Sequence, residues 1–275
     1  MEQIWIKKKR SCETPLFNAC GSGNESLVRY LVELEANINK VELWSRTIPI
    51  FNACRSGNEA IVIYLVELGA DISKENKLGQ TPLFFTCRNG YEPIVKYLVE
   101  RGADVNKVNK FGDTSLFSAC RKGNKTIVKY LVEHGAYINK VNELGENPLF
   151  DACSSGSEEV VKYLIELGLD INKVNEDGET PLFDACLSAI VKYLIELGSD
   201  INKENKDGKT PLFNACLSRN ETVVEYLVEL GADMNKRNKK GKIPLSNARR
   251  SENEAIVNYI VEHGAIEWSM IVLNY

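Results

Sequence analysis

The sequence predicts an all-α fold, a solenoid of stacked helix-turn-helix units with β-hairpin-like fingers. The first observation is a column of prolines, Pro15, Pro49, Pro82, Pro148, Pro181, Pro211 and Pro244, with Ser115 in its one vacancy. Successive members are 34, 33, 33, 33, 33, 30 and 33 residues apart, so one unit recurs eight times at a period near 33. The second observation is that each member opens a short apolar helix pattern, Leu83, Phe84 and Cys87 in the third copy. Another pattern follows it, Ile94, Val95, Leu98 and Val99. The third is that no copy can bury both apolar faces alone, so each must stack on its neighbours.

The third copy justifies the elements in order. Thr81 is a candidate helix N-cap, and Pro82 suits the first helical position. Gly90 ends that helix, since glycine tolerates positive φ. A second helix starts near Glu92, with Pro93 in its first turn and Tyr97 at the edge of its buried stripe. Gly102 stops it. The chain from Ala103 to Gly112 then runs out as a finger and returns to the next cap, Thr114.

The period, the Thr-Pro-Leu-x-x-Ala core and the Gly-Ala-Asp-Ile-Asn run after the second helix resemble ankyrin repeats, from about Ser11 to Ala265. There are two departures. Phe17, Phe51, Phe84, Phe117, Phe150, Phe183 and Phe213 stand where the family usually has His, and Ser246 takes that place in the last copy. Cys stands where the family usually has a second Ala. The single domain 1–275 divides into approximate repeats 11–40, 45–74, 78–107, 111–140, 144–173, 177–203, 207–236 and 240–269. Residues 1–10 are expected to cap one end, and 266–275 to form a C-terminal tail. The resemblance implies that the concave face binds partner proteins.

Bulk properties narrow the function classes. Lys and Arg number 34 against 38 Asp and Glu, a net charge of −4 that gives no global signal for a polyanion partner. No 18-residue apolar run exists, and the start has neither a long apolar core nor a cleavage site, so no membrane span and no signal peptide are expected. Seven of the eight cysteines, Cys20, Cys54, Cys87, Cys120, Cys153, Cys186 and Cys216, share one column. Stacked helices lie about 8–10 Å apart, too far for the roughly 7 Å reach of a disulfide. These are read as buried thiols of an intracellular, cytoplasmic and monomeric protein, with Cys12 at the surface.

Chemistry is scarce. His134 and His263 occupy equivalent helix ends four copies apart and cannot share a metal. Asp151 and Asp184 share a column, but a solvated concave face is expected to leave them ordinary carboxylates. No enzyme activity and no cofactor are expected. Three irregularities stand out: an extra residue and no glycine in the first finger, three residues missing after Cys186, and Arg219 and Glu252 in place of the turn glycine.

Columns that vary between copies mark the surface. The residue before the fingertip glycine reads Leu78, Phe111 and Leu144, then Asp177, Asp207 and Lys240, while the first finger contributes Leu43 and Trp44. Phe85 is the one bulky apolar residue in the inner-helix column. Arg55, Arg88 and Arg121, with Lys122, form a basic row beside the apolar tips. Aromatics and Arg are favoured at protein interfaces. The expected function is therefore a non-catalytic scaffold or adaptor that binds one or more proteins through copies two to five. The expected partner-binding residues are Trp44, Arg55, Leu78, Phe85, Arg88, Phe111, Arg121, Lys122 and Leu144. A regulatory or targeting segment of a larger enzyme or channel is the alternative. Nucleic-acid binding through the basic finger 236–242 is a lesser one, because no aromatic platform is interleaved with it.

Overall fold

The computed structural model describes residues 14–185, 190–218 and 220–266. The expectations for Ile4–Arg10, Cys12, Cys186, Arg219 and most of the tail lie outside the described residues. Two compact units divide the chain, Met1–Tyr137 and Ile138–Tyr275. In the first, the helix pairs are α1 (Pro15–Ser22) with α2 (Glu25–Glu33), and α3 (Pro49–Ser56) with α4 (Glu59–Glu67). They continue with α5 (Pro82–Asn89) and α6 (Glu92–Glu100), then α7 (Ser115–Lys122) and α8 (Lys125–Glu133). In the second, α9 (Pro148–Ser155) pairs with α10 (Glu158–Glu166), and α11 (Pro181–Ala185) with α12 (Val191–Glu196). Next are α13 (Pro211–Ala215) with α14 (Glu221–Glu229), and α15 (Pro244–Arg250) with α16 (Glu254–Glu262). No described residue is in a strand, and no described helix is long and apolar enough to cross a membrane.

Within each unit the first helices of successive pairs stack, α1 on α3, α3 on α5 and α5 on α7, and likewise α9 on α11, α11 on α13 and α13 on α15. Their shared core is the phenylalanine column, from Phe17 to Phe213, whose seven rings are all at most 2% exposed. The cysteines Cys20, Cys54, Cys87, Cys120, Cys153 and Cys216 are buried beside it. Burial pushes the Cys20 and Cys216 thiols up to about 12 and raises those of Cys54 and Cys87 further. A thiol so desolvated stays protonated and acts as a small apolar side chain.

Thr81 and its column mates stand at the N-cap position, but Thr81, Thr14, Thr114 and Thr210 make no side-chain cap bond. The hydroxyls of Thr14, Thr114, Thr180 and Thr210 are buried without a partner. Proline is not the cause, since Asn147 precedes Pro148 and still accepts from Leu149 N at 3.1 Å, whereas Thr114 precedes Ser115 and makes no cap bond. The Phe N–H three residues on goes instead to the backbone carbonyl of the threonine, as Phe84 N does to Thr81 O. Caps instead hold the second helices, where Asn24, Asn58, Asn124, Asn220 and Asn253 accept from the first turn. The sequence reading missed this column.

Each finger closes as a tight turn. Asn76 Oδ1 accepts from Leu78 N at 2.8 Å and Gln80 N at 3.0 Å, and Asn109 does the same for Phe111 and Asp113 at 2.8 and 3.0 Å. In the longer first finger Glu42 replaces that Asn. Its buried carboxylate accepts from Trp44 N, Ser45 N and Ser45 Oγ. Burial works to raise its pKa, but those bonds and the Lys77 charge outweigh it, so the carboxyl stays below its ordinary value. Arg46 takes the glycine position of that turn with φ 59°, and Glu252 takes the interhelical one with φ 57°. Each costs about 1 kcal/mol relative to glycine.

Candidate protein-binding face

The fingertips are positioned by backbone bonds that run from one finger to the next. Lys77 N donates to Ser45 O and Lys110 N to Leu78 O, both at 2.8 Å. In the second unit Glu176 N donates to Leu144 O at 2.8 Å and Lys206 N to Asp177 O at 2.7 Å. With the tip backbone used in this way, the tip side chains are left in solvent. Trp44 is 68% exposed, Leu78 44%, Phe111 52% and Leu144 58%. Leu144 belongs to the second unit; the other expected residues belong to the first.

Arg55, Arg88, Arg121 and Lys122 are exposed in the last turns of α3, α5 and α7. The sequence reading set this row beside the tips. The structure sets it at the far end of the same inner helices. Six residues separate Pro49 from Arg55, about 9 Å at 1.5 Å per residue. Arg121 leans back over that distance, as helical side chains do, and reaches Asp113 at the finger base at 4.0 Å. Phe85 is half-buried. Its ring meets Phe51 edge-on at 5.6 Å, with the Arg55 guanidinium 6.0 Å from its centre.

The inner-helix column reveals what Phe85 displaces. Asn52 Nδ2 donates to Phe17 O at 3.1 Å and Asn247 Nδ2 to Phe213 O at 2.8 Å, each tying one copy to the one before. Phe85 replaces that bond with apolar contact. Ser118, in the same column, is buried.

Asp184 occupies the same column, and here the expectation of ordinary carboxylates fails. Its carboxyl is pushed up to about 7, first by burial and then by the charges of Glu146, Glu179 and Asp151. Stacking α9 on α11 brings these side chains together and removes the solvation that the sequence reading assumed. Asn175 and Asn205 donate to Glu146 and Glu179, so those two carboxylates stay ordered near it. Among the described residues no group of three or more His, Cys, Asp or Glu is arranged to hold a metal. His134 and His263 instead cap helix ends. Each ring Nδ1 lies 2.8 or 2.7 Å from a last-turn carbonyl, with the ring 4.0 Å from Tyr130 or Tyr259. In the basic finger, Lys236 is tied to Glu204 at 2.6 Å.

Paired helices and turn fingers recur at a period near 33. The sequence model of the family described as ankyrin repeats (3 copies) matches residues 3–76, 50–142, 137–205 and 187–269. The chain is an ankyrin-repeat protein. No curated protein matches it. Ankyrin repeats generally mediate protein-protein interaction, and proteins built from them are typically non-catalytic.

Proposed function

We propose that this ankyrin-repeat chain is a non-catalytic scaffold or adaptor. It holds a partner protein on the fingertip and inner-helix face of copies two to four. The observation that carries this reading is the row of exposed apolar tips, Trp44, Leu78 and Phe111. They pack into no core. The Leu78 carbonyl and that of Ser45, beside Trp44, accept finger-to-finger bonds, and the Trp44 and Phe111 amides are held within their own turns by Glu42 and Asn109. An apolar row rimmed by charge on an ordered backbone is what a protein contact requires, since little ordering entropy remains to be lost on binding.

Affinity purification with mass spectrometry would identify the partner. Phe111→Ala with Arg88→Ala should then weaken its binding while moving the melting temperature little, because surface changes usually stay within about 0.5 kcal/mol. Arg88 is a cleaner probe than Arg121, which also reaches Asp113. Unaltered binding by the double variant overturns the assignment.

A further inference from the structure

We propose that the segment seated on the first unit's face is acidic and apolar, a stretch of chain in which carboxylates are interspersed with large apolar side chains. This rests on the binding reading above and adds the partner's chemistry. The charge on that face is one-sided once internal pairings are set aside. The Glu42 carboxylate is taken up by Ser45 and Trp44. Asp71 accepts from Ser73 Oγ at 2.6 Å, and Glu75 pairs with Lys107 at 2.6 Å. Asp113 accepts from Asn109 and meets Arg121. Arg55, Arg88 and Lys122, by contrast, are exposed and enter no ion pair among the described residues.

Two of the cations are held against aromatic rings, although the Lys77 charge also acts on Glu42. Lys77 Nζ stands 5.5 Å from the Trp44 ring centre, and Arg55 stands beside Phe85. An aromatic face orients a cation, and a guanidinium there keeps its fork of donors for a carboxylate. A cleft of about 470 Å³ between the fingers adds a concave acceptor. Its lining includes Arg46, Lys74, Lys77 and Lys110, against Asp71 and Glu75, which are already engaged. The tips then take apolar side chains while the cleft and the helix-end row take carboxylates. A basic segment would meet like charge, which is disfavoured by complementarity. A nucleic-acid strand would satisfy the cations and could stack on Trp44 and Phe111, but it would leave the aliphatic Leu43 and Leu78 unmatched.

The test is a selection from a random peptide library with the full chain as bait, followed by affinities of synthetic peptides. Enriched peptides should be net acidic and rich in Leu, Phe or Trp. Arg55→Glu with Arg88→Glu should weaken them by about tenfold or more. Arg55→Lys with Arg88→Lys should cost less than the charge reversal, because the charge stays while the donor fork is lost, and binding should fall as salt rises. Circular dichroism melts would confirm that each variant is folded. Neutral or basic peptides that Phe111→Ser still abolishes would overturn the acidic class and leave the binding face standing. Peptides indifferent to Phe111→Ser and to charge reversal would overturn the face itself. No enrichment, or displacement of enriched peptides by a poly-uridine RNA, also counts against the proposal.

Discussion

Replacing Asp184 by Asn should make the protein more stable at neutral pH, and the sign follows from where the carboxyl sits. Its pKa is about 7 in the fold against an ordinary 3.8. Below about pH 4 the folded and unfolded chains both hold the proton. Between there and about pH 7 the unfolded chain releases it while the fold retains it, so stability falls as pH rises, then levels off. Taken whole, that displacement is worth roughly 4 kcal/mol at about 1.36 kcal/mol per pKa unit. The side chain is partly open to solvent, and screening reduces this to about 1–2 kcal/mol. Glu42 acts in the opposite sense, but its window runs downward from the ordinary 4.5, below the pH range of the urea measurements. An amide at 184 carries no charge and can donate to the Phe150 carbonyl, as Asn52 and Asn247 do to the phenylalanines before them. Urea denaturation followed by circular dichroism at pH 5, 6, 7 and 8 measures both effects. Asp184→Asn should gain about 1–2 kcal/mol at pH 8, and the gain should shrink toward pH 5. A wild-type midpoint constant from pH 5 to 8, or a variant weaker than wild type at pH 8, refutes the reasoning.

Three further outcomes follow from the packing. Thr210→Val should stabilise by about 1 kcal/mol, because it removes a buried hydroxyl without a partner at a column where Ile48 and Ile243 already serve; a lower urea midpoint would show that the hydroxyl is bonded. Ser73→Asn should add about 1 kcal/mol, read by thermal melting. Asn106 bridges to Gly135 O and Tyr137 N, both at 2.8 Å, whereas Ser73 turns back to Asp71. Amide hydrogen exchange should be faster in α12 than in α2 to α8. That helix has 6 residues where α10 has 9, its N-cap is Ile190, and the Asn172 bonds to Gly198 O and Asp200 N are stretched to 3.4 Å; equal protection would show that other contacts compensate.

What the sequence could and could not reveal follows from how each residue is used. The phenylalanine and cysteine columns were legible because a buried position tolerates few side chains and the chain repeats that restriction in copy after copy. The exposed tips were legible for the complementary reason: Leu78, Phe111 and Leu144 vary with Asp177 and Lys240 in a column whose backbone, not its side chains, joins one finger to the next. The threonine caps were placed correctly but given the wrong chemistry, since the Phe N–H that a cap bond could use goes to the threonine's own backbone carbonyl. Asp184 was misjudged for a related reason. Its pKa is set first by burial and then by Glu146, Glu179 and Asp151; Glu146 and Asp151 come from the preceding copy, and no spacing within one copy shows that they converge or that the site is buried. Glu42 shows the same limit from the other side. The extra residue of the first finger looked like a defect, yet it lets a carboxylate close the turn that Asn76 and Asn109 close elsewhere. That closure leaves Leu43 and Trp44 both projecting, so the finger that departs furthest from the repeat exposes two large apolar side chains side by side.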